Sequence, residues 1–96
     1  MTETNSLEEI RARIDEIDRE MLTLFCRRME LAAEVAAYKR AHGLPTLRPE
    51  REQAILERAA ADAPPELSSY ARRCFDGIMG LSREYQDELR NKEAAD

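Results

Sequence analysis

Residues 7–42 read LEEIRARIDEIDREMLTLFCRRMELAAEVAAYKRAH, and the spacing of apolar residues in this stretch decides the fold. Leu7, Ile10, Ile14, Ile17, Met21 and Leu24, then Leu31, Val35 and Tyr38, recur at steps of three and four, the period of a helix-packing seam. No Gly or Pro interrupts it. Ser6-Leu7-Glu8-Glu9 predicts a capping box at the start, with Ser6 as the cap and Glu9 reaching back. Gly43, suited to a left-handed cap, and Pro45, which cannot continue a helix, predict the end. The expected first helix therefore covers about residues 7–42.

A helix of about 36 residues rising about 1.5 Å per residue is roughly 54 Å long. A compact globule of this chain length has a radius of gyration of about 12.5 Å, hence a diameter near about 32 Å. The helix overshoots that globule. An apolar seam along its whole length needs more cover than the rest of one chain supplies, which predicts a second copy and an intertwined six-helix homodimer.

Outward from this helix the punctuation continues. Pro49-Glu50-Arg51-Glu52 opens a second helix, about residues 49–61, with Pro at its first position and acids in its first turn. Asp62-Ala63-Pro64-Pro65 breaks it. Leu67, Tyr70, Ala71, Cys74, Phe75, Ile78, Met79, Leu81, Tyr85 and Leu89 then keep helical spacing over a third helix, about residues 65–92, with a tail expected to fray from Asn91. No segment alternates apolar and polar residues as a strand would. The expected fold is all-α, three helices in one domain over residues 1–96.

The 96 residues are 43% hydrophobic and 36% charged, the composition of a small soluble globule. A net charge of -5 argues against a nucleic-acid partner, because phosphate binding needs a basic surface. Cys26, Cys74 and His42 lack the spacing of a zinc site or disulfide framework, so neither is expected. The polar segment Met1 to Glu9 predicts no leader peptide, and no apolar run approaches the roughly 20 residues of a membrane span. A cytoplasmic location without a membrane partner is the expectation.

Several polar residues fall where the pattern calls for apolar ones. Arg28 occupies the seam between Leu24 and Leu31, and a buried unpaired cation costs several kcal/mol, so an anion must meet it. A structural ion pair or a snorkelling side chain would serve as well as a ligand. Lys39 lies close to three turns further on, about 16 Å along the axis and on nearly the same face, although a lysine in a last helical turn is equally a partner of the helix dipole. Arg11 is about 25 Å and roughly 100° from Arg28, so it cannot share a pocket with it within one chain. In an antiparallel dimer it could reach the partner's site; alone it is a solvated surface arginine. Ser82 and Gln86 extend the inward face of Phe75 and Met79, a place where a serine often bonds a backbone carbonyl. Glu52 is also a first-turn dipole residue and Arg51 a surface charge. Together they put cations and hydrogen-bonding groups on the inner faces of an apolar bundle, the layout for a small organic polyanion.

This set resembles the all-helical chorismate mutase family. The resemblance rests on Leu7 with Ile10-Arg11, on Ile14-Asp15-x-Ile17-Asp18, and on Arg28-Met29-Glu30-Leu31 with Val35 and Lys39. Pro49-Glu50-Arg51-Glu52 and Ser82-x-x-x-Gln86 complete it. It implies an intertwined dimer of three-helix chains and an isomerase that converts chorismate to prephenate, on the route to phenylalanine and tyrosine, without metal, cofactor or covalent intermediate. By the same resemblance Arg28, and Arg11 of the other chain, clamp the two substrate carboxylates, Ser82 assists at one of them, and Arg51 lines the pocket. Lys39 and Gln86 would hydrogen-bond the ether oxygen, and Glu52 would accept from the ring hydroxyl. Arg48 stands where many stand-alone members have Asp, which leaves that hydroxyl contact to backbone or turns the side chain to solvent. Arg83, near the same pocket, is expected to turn outward. The same scaffold would also suit an isochorismate pyruvate-lyase, a 4-amino-4-deoxychorismate mutase, or a noncatalytic dimer that senses chorismate or prephenate.

Overall fold

The computed structural model describes residues 6–95, with side chains through Lys92. Among these residues there are three α-helices and no strand: α1, Leu7–Ala41; α2, Pro49–Asp62; and α3, Ser68–Ala95. The fold class is all-α. Residues 1–5, on which the reading of the N-terminal segment partly rests, lie outside the described part.

The ends of α1 have clear physical causes. The Ser6 N–H donates to Glu9 Oε1 and the Glu9 N–H donates to Ser6 Oγ, both at 3.2 Å, so two otherwise unpaired donors satisfy each other's residue. At the far end Gly43 adopts a positive φ of 67°, the Gly43 N–H reaches the Arg40 carbonyl at 3.3 Å and the Leu44 N–H reaches the Lys39 carbonyl at 2.7 Å. This is a Schellman closure, which needs the left-handed residue glycine supplies without strain. His42 stacks on Tyr38, with ring centroids 4.0 Å apart, and its Nδ1 lies 2.8 Å from the Tyr38 carbonyl. Facing an acceptor, Nδ1 carries the proton.

Pro49 starts α2, and Glu50 and Glu52 sit in its first turn, where the helix dipole favours negative charge. Ala63 leaves α2 in an extended conformation because Pro64 disfavours a helical residue before it. Pro65–Leu67 forms a single 3-10 turn, so α3 begins at Ser68, three residues later than the spacing predicts. Ser68 Oγ donates to the Ala60 carbonyl at 2.8 Å, satisfying one orphaned acceptor of the end of α2. The segment from Asn91, expected to fray, is helical through Ala95, with Lys92 in a last turn that favours a cation.

The chain divides into two compact units, Met1–Leu31 and Ala32–Asp96. The described part of the first is the N-terminal stretch of α1, and its seam residues Ile10, Ile14, Ile17, Met21 and Leu24 are all exposed in the single chain. In the second, α2 packs along α3, and Ile55 and Met79, with Ala32 and Ala36 from the end of α1, form the buried apolar core. The alanines at 33, 36 and 37 face Leu89 and Arg90 of α3 across a 200 Å³ cleft.

Candidate active site

Two polar residues share the core of the C-terminal unit. Ser82 is 8% exposed and Gln86 7%, one turn apart on α3 and directly after the buried Met79. Gln86 Nε2 lies 3.0 Å from Ser82 Oγ, while Gln86 Oε1 is buried with no hydrogen-bond partner among the described residues. An unsatisfied buried acceptor costs roughly 1–3 kcal/mol. The amide turned over keeps the serine bond, with the hydroxyl now donating to Oε1, and leaves the NH2 group aimed at that unfilled position. In either orientation Gln86 has one unused hydrogen-bonding arm that the fold does not employ.

The same unit carries a cluster of charge. Lys39, in the last turn of α1, is half-buried, and its Nζ donates to the Thr46 carbonyl at 2.7 Å. Arg90 of α3 donates from Nη1 to the hydroxyl of the same threonine at 2.9 Å. Thr46 thus holds a cation on each of its two oxygens. Burial lowers the Lys39 ammonium below the ordinary lysine range, the positive charges of Arg48 and Arg90 lower it further, and Glu52 acts in the opposite sense.

Glu52 is also half-buried, and its Oε1 accepts from Arg83 Nη1 in an ion pair that ties α2 to α3. This bond is the main reason the Arg83 guanidinium holds its proton even more firmly than usual, with the charges of Glu52, Asp76 and Asp87 adding to it. Arg83 therefore does not turn outward. A first-turn carboxylate of α2 faces it, and a guanidinium finds a charged partner there that solvent would not supply.

Of the residues that the sequence singles out, Lys39, Glu52, Ser82 and Gln86 all lie at least partly inside the C-terminal unit. Arg48 and Arg51 are exposed. Arg48 precedes Pro49, makes no side-chain capping bond, and reaches Lys39 only through its charge. Arg11, exposed, and Arg28, half-buried, belong to the N-terminal unit. The contributions of three residues are not legible in the sequence alone: Arg83, Arg90 and Thr46. Arg90 follows Arg83 by seven residues, two turns on the same stripe of α3, and that spacing is the one signal the sequence offers for it.

The sequence model of the family described as chorismate mutase type II matches residues 10–87, the greater part of the chain. The chain belongs to this family. Among its relatives, the T-protein of Haemophilus influenzae is 41% identical over 63 residues, covering 66% of this chain and 17% of the relative. A 4-amino-4-deoxychorismate mutase of Streptomyces venezuelae is 40% identical over 60 residues, covering 62% and 58%. A chorismate mutase of Methanocaldococcus jannaschii is 48% identical over 52 residues, covering 54% and 52%. The chain spans less than two thirds of the length of each of these relatives. Among the described residues no helix of this type II chain is long and apolar enough to cross a membrane.

Proposed function

We propose that this chain is a chorismate mutase, an isomerase that rearranges chorismate to prephenate in aromatic amino acid biosynthesis. The observation that carries the reading is the Ser82–Gln86 pair: a buried, incompletely satisfied polar arm in the same unit as Lys39 and Glu52, within a family match that spans residues 10–87. The rearrangement is unimolecular and pericyclic. It needs no nucleophile, metal or cofactor, only a site that fixes a reactive conformer and stabilises the charge that develops as the ether bond breaks.

The chain's residues suit those tasks. Arg28 and Arg11 offer planar, permanently charged forks for two carboxylates, with Ser82 and Arg51 assisting. Lys39 exchanges the Thr46 carbonyl for the ether oxygen, and Gln86, with its amide turned so that the NH2 group takes the unfilled position, donates to the same atom. Glu52 accepts from the ring hydroxyl, and the exposed Arg48 adds positive charge at the rim.

The working unit is an intertwined homodimer in which Arg11 crosses to the partner's site. The exposed seam of Ile10, Ile14, Ile17, Met21 and Leu24 supports this, because an amphipathic stripe of that length is stable in water only when covered. Residues 1–96 act as one catalytic domain, and a cytoplasmic location fits an enzyme of this substrate class.

Pure protein incubated with chorismate tests the reading, with prephenate formation followed. Turnover supports it. Chorismate that persists, while salicylate and pyruvate appear from isochorismate, makes the chain a pyruvate-lyase instead. Binding of chorismate without turnover makes it a sensing dimer. The 40% identity to the Streptomyces enzyme favours one second reading, a mutase acting on 4-amino-4-deoxychorismate, and that compound belongs in the same assay.

A further inference from the structure

The ion pair between Arg83 and Glu52 bears on which of those two ring compounds the site accepts. It joins residues 31 positions apart, and it engages the carboxylate that the mutase reading assigns to the ring substituent. Both partners retain some solvent contact: the side chain of Arg83 is 36% exposed and that of Glu52 21%. The charges that act on Lys39 are Arg48 and Arg90, both positive, and Glu52. Asp76 and Asp87, exposed on α3, act on Arg83 from its own helix.

Resting on the mutase reading, we propose that Arg83 is a positioning residue that determines specificity: it neutralises Glu52 while leaving it an acceptor, so that the site takes a neutral ring hydroxyl and rejects a ring ammonium. The ion pair occupies Glu52 Oε1, and a carboxylate has about four lone-pair positions, so Oε2 still accepts from a hydroxyl. An aliphatic amine at the same ring position is cationic at neutral pH, with an ordinary pKa near about 10. An unpaired Glu52 would attract it. Paired with Arg83, Glu52 presents no net charge, and the guanidinium itself repels the ammonium. Because Arg83 is partly exposed, solvent screens this effect, which sets its scale at about tenfold in discrimination and not about a thousandfold.

The test compares kcat/KM for chorismate and for 4-amino-4-deoxychorismate in the wild-type protein, R83Q, R83M and R83K. The wild type should prefer chorismate. R83Q should lower the chorismate-to-amine ratio by about tenfold or more, chiefly by lowering KM for the amine, and R83K should restore most of the preference. R83M, which removes the charge but keeps much of the aliphatic stem, is read in the same way should R83Q fail to fold. If both substrates fall by the same factor and the ratio stays within about twofold of wild type, Arg83 is only a structural tie and the inference is overturned. A wild type that prefers the amine overturns it too. A wild type inert toward both compounds overturns the mutase reading itself, and this inference with it, whatever the variants do.

Discussion

The stretch of α1 before Ala32 and the remainder of the chain differ in what they bury: the first buries no large apolar residue, whereas the second buries Ile55 and Met79 together with the polar Ser82 and Gln86. In residues 7–31 most large apolar side chains are exposed, Ile17 at 54% and Leu24 at 59%, while Phe25 and Met29 are half-buried, and cations interrupt or flank the stripe. In residues 32–92 the core is small, and two of its buried residues, Ser82 and Gln86, are polar. The first region has apolar surface in need of a partner. The second has hydrogen-bonding capacity in need of one, and under the proposed function the first serves assembly and the second a ligand.

The largest effect expected from breaking this contrast is at Lys39. Lys39→Ala removes the cation assigned to the ether oxygen and should raise the barrier by at least about 3 kcal/mol, a loss of about a hundredfold or more in kcat. Rate measurement at saturating chorismate checks it, and a loss confined to KM would reduce Lys39 to a binding role. Next in size is the link between the two regions. Arg11→Ala and Lys39→Ala chains, each inactive alone, should on subunit exchange regain about a quarter of wild-type activity, because half the dimers are mixed and each carries one intact site. A mixture that exchanges subunits and stays inactive removes the cross-chain role of Arg11.

A smaller and directional effect sharpens the electrostatics of the second region. Lys39 is a charged donor only while protonated, and burial, then the charges of Arg48 and Arg90, weaken its hold on the proton. Arg90→Gln removes one of them while keeping a donor for Thr46, so the alkaline limb of the kcat/KM profile should move to higher pH. A limb that moves down, or stays, contradicts the charge assignment. The smallest effect concerns the first region alone: Ser6→Ala should cost about 1 kcal/mol in thermal or denaturant unfolding, with no change in substrate preference.

The helices are readable from the seam and its punctuation. Ser6 with Glu9, Gly43 with Pro45, and Pro49 are local signals whose physics completes within a turn or two. The inward facing of Ser82 and Gln86 is equally legible, since both fall on the stripe that carries Met79. The role of Arg83 is not, because its meaning depends on Glu52, 31 residues earlier, and only the packing of α2 on α3 brings the two together. Thr46 stays hidden for a related reason: its backbone carbonyl holds Lys39, and backbone acceptors leave no mark on residue type.

Thr46 also bears on the thermodynamics of binding. One residue keeps two like charges at fixed stations, Lys39 on its carbonyl and Arg90 on its hydroxyl. For a substrate that takes Lys39, association is then an exchange of one acceptor for another. The net gain from that contact is small, since a neutral carbonyl must be given up first. What survives the exchange is selectivity in time: a weakly charged ground-state ether competes poorly with Thr46, whereas the oxygen of the breaking bond, more negative, competes well. Under the proposed function, the loop threonine would thereby lower affinity for the substrate at rest and leave the Lys39 contact to strengthen only as the reaction proceeds.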